Sequence, residues 1–167
     1  MHHQAREEEH VKYFFPILLV LGAGLAASAD LKPIDESGYA RFVASSKGKV
    51  LVVNFWATWC SPCRKEMPEL VALAAKYRAR GLEFATVAID EESDRKAVAE
   101  FLDKTKVPPP TFIKNFQNDE KFIGLVDSRW SGGLPFTVVY DRSGRKAHVF
   151  PGEVNLKELE AVILKLL

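Results

Sequence analysis

A chain of 167 residues that is 47% apolar, 11% aromatic and 27% charged has the composition of one globular domain. This argues against disorder, collagen-like repeats and a multi-pass membrane protein. The 23 Lys and Arg against 22 Asp and Glu give a net charge of +1, and the signs are interleaved, so no face for nucleic acid is suggested.

Tyr13 to Ala29 is an uncharged run preceded by HHQAREEEHVK. A spanning helix needs about 20 apolar residues. This run is shorter, contains Pro16, Gly22 and Gly24, and ends in Ala27-Ser28-Ala29, the small-x-small pattern of a signal-peptidase site. Residues 1–29 therefore read as an export segment, with cleavage after Ala29 preferred. Glu7, Glu8 and Glu9 dilute the charge of Arg6 and Lys12, which keeps an uncleaved N-terminal membrane anchor open as the second reading. Both place a single domain, residues 30–167, in the periplasm or cell envelope.

In that domain, Val50 to Trp56 (VLVVNFW) is a continuous apolar, β-branched run, the pattern of a strand buried on both faces. From Ser61 apolar residues recur at helical spacing (Met67, Leu70, Val71, Ala74, Tyr77) until Gly81, which predicts a long helix interrupted by Pro68. Leu82 to Ile89 is a second apolar strand, completing a βαβ unit. A helix is expected from Ser93 to Lys104, with Ala97, Val98, Phe101 and Leu102 on one side. Pro108, Pro109 and Pro110 then force an extended connection, and Thr111 to Ile113 suggests a short strand. Asn118 to Val126 has no clean period and receives no element. Pro135 to Tyr140, the turn Asp141 to Gly144, and Arg145 to Phe150 predict a β-hairpin. Asn155 is a plausible N-cap for a closing helix, Leu156 to Leu167.

The only cysteines, Cys60 and Cys63, lie where the first strand runs into its helix. A thiol at a helix N-terminus faces free backbone N–H groups and the positive end of the dipole, and Arg64 and Lys65 add positive charge, so Cys60 is expected to have a lowered pKa. Pro62 suits an early helical position because its missing N–H would be unpaired there. Cys63, one turn on, is expected to be screened inside. Cys60 is then the attacking thiolate and Cys63 the resolving thiol. A structural disulfide would close only a four-residue loop and constrain little of the chain. A structural zinc site needs four ligands, and the domain offers the two cysteines and the distant His148. Neither a metal nor another cofactor is expected.

The segment Phe55-Trp56-Ala57-Thr58-Trp59-Cys60-Ser61-Pro62-Cys63-Arg64-Lys65-Glu66-Met67-Pro68 closely resembles the active-site segment of thioredoxin-like proteins, in particular the TlpA/ResA-like branch of exported thiol-disulfide oxidoreductases. Gly133-Leu134-Pro135 and Asp141-Arg142-Ser143-Gly144 resemble that family's cis-proline loop and the hairpin turn after it. The resemblance implies an α/β thioredoxin fold, a central mixed sheet flanked by helices. An inserted helix and strand would lie between the second strand of the βαβ unit and the cis-proline loop. It further implies that Cys60, Cys63 and Pro135 are catalytic, that Trp59, Ser61 and Pro62 support them, and that Leu134 offers its backbone to an extended substrate segment. Asn54 stands where thioredoxin has a buried acid, so the proton of Cys63 needs another acceptor, for which the resemblance offers Glu92; a solvated loop at Asp90 to Glu92 explains that residue equally well. Ser128 to Gly132 departs from the family pattern, leaving Trp130 either exposed as substrate surface or core.

The leading reading is an exported thiol-disulfide oxidoreductase, a monomer that reduces exported protein disulfides, apocytochrome c among the possible substrates, with electrons from a membrane partner. The alternatives are a redox-inactive thioredoxin-like binding module or holdase, and a peroxiredoxin-type peroxidase. The last is disfavoured because Val53 occupies the position at which that chemistry wants proline.

Overall fold

The computed structural model describes residues 30–167; the export segment expected at residues 1–29, with its expected cleavage site, lies outside the described residues. The elements are β1 (Leu31–Ile34), α1 (Glu36–Ser45), β2 (Val50–Trp56), α2 (Ser61–Tyr77), β3 (Leu82–Ala88), α3 (Arg95–Thr105), β4 (Thr111–Lys114), α4 (Asp119–Val126), β5 (Phe136–Tyr140), β6 (Lys146–Pro151) and α5 (Leu156–Leu166), with 3-10 turns at Arg78–Arg80 and Glu92–Asp94. The sheet order is β1-β4-β3-β2-β5-β6. The first four strands in that order are mutually parallel, β5 runs antiparallel to β2, and β6 runs antiparallel to β5.

β2 is central, and its alternation explains its unbroken apolar sequence. Val50, Val52 and Trp56 join the core beneath α2, α3 and α5, while Leu51, Val53 and Phe55 join the core beneath α1 and α4. Every residue of β2 is buried. The one polar member, Asn54, faces the α2 side between its register neighbours Thr86 on β3 and Thr137 on β5.

Several elements depart from the sequence-based expectations. β1 and α1 carry no strong apolar pattern; α1 forms on its N-cap, where the Asp35 carboxylate accepts the Gly38 N–H at 2.6 Å, and on the burial of Tyr39. The Asn118 to Val126 stretch is helix α4, capped by the Asn118 side chain accepting the Lys121 N–H at 2.8 Å. The helix expected to reach Gly81 ends as a 3-10 turn, and Gly81 adopts a left-handed conformation with φ 99°, which only glycine adopts without a steric cost. Among the described residues no helix is long and apolar enough to cross a membrane.

Candidate active site

The sharp turn after β2 places Cys60 as the N-cap of α2. Its sulfur occupies the position of a capping side-chain oxygen, accepting the Cys63 N–H at 3.3 Å. Here the two sulfurs are joined, with a Cα–Cα distance of 5.3 Å. Cys63 is fully buried and Cys60 is 6% exposed, so a partner reaches the pair through Cys60. The donor already aimed at Sγ, together with the dipole of a helix running from Ser61 to Tyr77, is the arrangement that favours a thiolate once the bond is reduced. Ser61 and Pro62 occupy the first two helical positions. Trp59, immediately before Cys60, is 69% exposed.

The turn that carries Trp59 is pinned from β3. Asp90, at the end of that strand, is 1% exposed and accepts the Thr58 N–H at 3.1 Å on each carboxylate oxygen and the Thr58 hydroxyl as well. Asp90 is thus a structural acid, not part of a solvated loop. Its neighbour Glu92 is exposed. Its carboxylate pairs with Arg95, whose guanidinium reaches the Leu31 carbonyl at 2.6 Å, so the pair is drawn toward β1, the sheet edge away from β2. The Arg95 hydrogen bonds hold the Glu92 pKa below the usual carboxylate value, which keeps it ionised and suits a surface ion pair better than a proton carrier.

The acid that the structure brings to the dithiol helix is Glu66, which sequence reasoning missed. It lies three residues after Cys63, on the same face of α2, and is 7% exposed. Its carboxyl accepts the Asn54 amide at 3.0 Å and the Val154 N–H at 3.0 Å. Burial pushes its pKa up, outweighing the two hydrogen bonds that pull it down, so its proton affinity moves toward that of an acid-base group working near neutrality. A signal was present: Cys63, Met67, Leu70 and Ala74 form the buried stripe of α2, and Glu66 falls on it.

Opposite Cys60, the Leu134–Pro135 peptide is cis. The register of β5 against β2 pairs Phe136 with Phe55, which sets Pro135 at the end of β2 from which the Cys60 turn springs. Pro135 is buried and Leu134 half-buried. Leu134 lines a cavity of about 240 Å³ with Arg129, Ser131, Gly133 and Gly152, on the rim beside this loop. Trp130 is core. It is 7% exposed, stacks on Phe136 with ring centroids 4.6 Å apart, packs on Phe55 at 4.9 Å, and donates its indole N–H to the Gly133 carbonyl at 2.8 Å. The ring also lines the cavity, and its hydrogen bond to Gly133 ties down the loop that carries Leu134.

A dithiol at the head of the helix that follows the central strand, faced by a cis-proline loop at the start of an antiparallel hairpin, defines a thioredoxin-like fold. The chain belongs to the Redoxin family, whose model matches residues 30–163. It is 34% identical over 120 residues to the thiol-disulfide oxidoreductase ResA of Bacillus thuringiensis (strain Al Hakam), a match covering 72% of this chain and 65% of that protein. To ResA of Oceanobacillus iheyensis it is 31% identical over 140 residues, covering 83% of this chain and 69% of that one. The crystal structure of a thiol:disulfide interchange protein from Chlorobium tepidum TLS matches with a TM-score of 0.62 and 28% identity, over 74% of this chain and 83% of that chain. The chain therefore spans just under two thirds of the length of the Bacillus relative.

Proposed function

We propose that this protein is an exported thiol-disulfide oxidoreductase that reduces protein disulfides in the periplasm or cell envelope. The observation that carries the reading is the sulfur of Cys60 at the N-cap of α2, already accepting a backbone N–H and joined to a buried Cys63. In the reduced protein the Cys60 thiolate attacks one sulfur of a substrate disulfide. A Cys60–substrate bond forms, the substrate disulfide breaks, and the departing substrate thiolate takes a proton from solvent. Cys63 then gives its proton to the Glu66 carboxylate, and its thiolate attacks Cys60 Sγ. The mixed disulfide breaks, the second substrate sulfur leaves and is protonated, and two electrons have passed from the protein to the substrate. The product is the internal disulfide of this structure, which a dithiol donor must reduce for another cycle.

Three groups are assigned to binding. Trp59 supplies exposed apolar surface beside Cys60. Leu134 offers its backbone, next to Pro135, to an extended segment, the main-chain recognition that an unpaired edge allows. The cavity at Arg129 accommodates a side chain of that segment. Export rests on the apolar run from Tyr13 to Ala29, with cleavage after Ala29 preferred to a retained anchor. Reduction rather than oxidation, apocytochrome c among the substrates, a membrane-bound electron donor and a monomeric state come from the resemblance to the TlpA/ResA-like branch.

The test is to trap partners on Cys60 with Cys63→Ser in the native envelope and to measure the reduction potential of the parent. Mixed disulfides on Cys60 and a potential low enough to reduce the trapped partners are the expected result. A Cys63→Ser protein that captures nothing, with full biological activity retained by the double Cys60→Ser, Cys63→Ser variant, would replace this reading with the redox-inactive binding module.

A further inference from the structure

The two ends of the sheet differ in charge. The base, opposite Cys60, is the end at which β2 and β3 begin; it is made by the connections 46–49, 78–81 and 106–110 and by the β5–β6 turn, 141–145. These segments hold seven Lys and Arg against one acid, Asp141. The last turns of α2 and α3 add Lys76, Asp103 and Lys104. At the Cys60 end, the connections at 35, 57–60, 89–94, 115–118 and 152–155 hold six acids and no Lys or Arg, and the longer loop 127–135 adds one of each. Ion pairs repeat the division. At the base the Arg145 side chain is 82% exposed and that of its partner Asp141 20%, and Lys49 is likewise the outward member of its pair with Glu83. Toward the Cys60 end the order reverses: Glu91 is 71% exposed and Lys114 12%, and Glu92 is more exposed than Arg95.

Arg142 makes the base one platform. Its guanidinium donates to the carbonyls of Gly48 at 2.8 Å, Arg80 at 3.1 Å and Leu167 at 2.9 Å, so three connections are tied together by backbone acceptors that leave its charge uncancelled. Alongside, between α2 and the loop 106–110, lies an open groove of about 540 Å³, with Ala74, Leu82 and Phe84 among its apolar lining and the cations Lys49, Arg78 and Lys106 beside them. Cations grouped around apolar surface suit a ligand that carries an anionic head on apolar chains. The chain also enters the domain from this side: Leu31 is level with Thr111, where β4 begins, and the uncharged run of the sequence ends at Ala29, within about 7 Å of Leu31 along the chain. We propose that the base of the sheet is a docking surface for an anionic membrane, its cations set on lipid phosphates and its groove taking the apolar part of one lipid. The rise along β2 from Val50 to Trp56 is roughly 20 Å, so a domain seated this way holds Cys60 on the far side, open to soluble substrates. The inference needs a location in the envelope and is independent of the dithiol chemistry.

The test uses the protein with whichever N-terminus the envelope leaves on it, in bilayer discs carrying a trace of gadolinium-chelating lipid. Paramagnetic broadening of backbone amides is measured against discs without gadolinium. In phosphatidylglycerol discs the amides of Gly48, Arg80, Lys106 and Ser143 are expected to broaden, while those of Trp59 and Cys60 stay sharp. The contrast is expected to be lost in phosphatidylcholine and to fade in 1 M salt, where the screening length is about 3 Å. Arg78→Gln with Lys106→Gln removes two cations, each worth about fivefold near an anionic surface, so the docking equilibrium should fall roughly 25-fold. Exchange with a soluble protein disulfide should stay within about twofold of the parent, which separates a failure here from a failure of the reductase reading. Base amides that broaden equally in the two lipids, or together with Trp59 and Cys60, would overturn the proposal, since a tether or random collision would then set the approach. Sharp base amides in phosphatidylglycerol would overturn it as well and leave these cations to an acidic protein partner. All of these outcomes are read on the parent, without the double variant having to fold.

Discussion

Trp130→Ala separates a ring that builds the proline loop from a ring that touches substrate. Removing a buried Trp costs about 3–5 kcal/mol through lost transfer energy and the cavity left behind. The upper part of that range applies, because this ring makes two aromatic contacts, on Phe136 and Phe55, of about 0.5–1.5 kcal/mol each beyond their area. It also donates a hydrogen bond to Gly133. Set against a total stability on the order of 5–15 kcal/mol for a domain of this kind, the loss is a large fraction of the whole. At roughly 3 °C per kcal/mol the melting temperature falls by roughly 12 °C. Trp130→Phe keeps an aromatic ring and gives up the indole N–H, so it is expected to lose about 1–2 kcal/mol.

Urea titrations of the oxidised proteins give the two stabilities, and exchange with a protein disulfide gives their activities. The ring as core predicts that Trp130→Phe, folded under assay conditions, keeps KM within about twofold of the parent, since a difference of 0.4 kcal/mol corresponds to about that factor. The reasoning fails if Trp130→Ala loses less than about 1 kcal/mol while its KM for a protein disulfide rises tenfold. That pattern belongs to an exposed contact residue, and the stack on Phe136 would then contribute little to the fold.

Other variants probe the supports of the site. Asp90→Ala leaves the Thr58 N–H and hydroxyl without their acceptor, costs about 2–3 kcal/mol, and should speed hydrogen exchange at the Thr58 and Trp59 amides; unchanged exchange would mean that the turn holds itself. The Asp127 carboxyl is held well below its usual value of 3.8 by Arg129 and Lys146. A depressed acid stabilises the fold above its unfolded-state value and loses that contribution as pH falls toward the folded-state one, so stability should decline below pH 3.8 less steeply in Asp127→Asn than in the parent. Glu66 has the opposite sign. Its raised folded-state value means that the native protein holds the proton more tightly, so stability falls as pH rises from 4.5 through that value, and Glu66→Gln should remove this part of the slope in pH-dependent urea titrations. Asn155→Ala removes the side chain that accepts the Lys157 and Glu158 N–H groups, with an expected loss of about 1 kcal/mol and faster exchange confined to α5.

What could be read from the residues divides along a physical line. β2, α2, β3, the hairpin and α5 were legible because each is long or strongly apolar, and because local signals agree with burial: a β-branched run, a helical stripe, an Asx turn, an Asn cap. β1 and α1 were not, since a strand of four residues reading LKPI is made by pairing with β4, and pairing partners distant in sequence leave no periodic mark. α4 was missed for a related reason. Its eight residues bury only Phe122 and Val126, too few to show a period, and its start is set by a cap that looks like any loop asparagine.

The site follows the same division. The dithiol and its helix are local, so they were visible; the proposed proton acceptor, Glu66, is set by a contact between β2 and α2, residues 54 and 66, and by the Val154 N–H on the approach to α5. Glu92 was offered by the resemblance alone, beside the reading of a solvated loop, and nothing in the sequence says that Arg95 will occupy it. The choice between the two acids reduces to burial. An exposed carboxylate paired with an arginine gains nothing by holding a proton near neutrality, whereas one enclosed between α2 and the sheet pays for its charge in lost hydration and is stabilised by protonation.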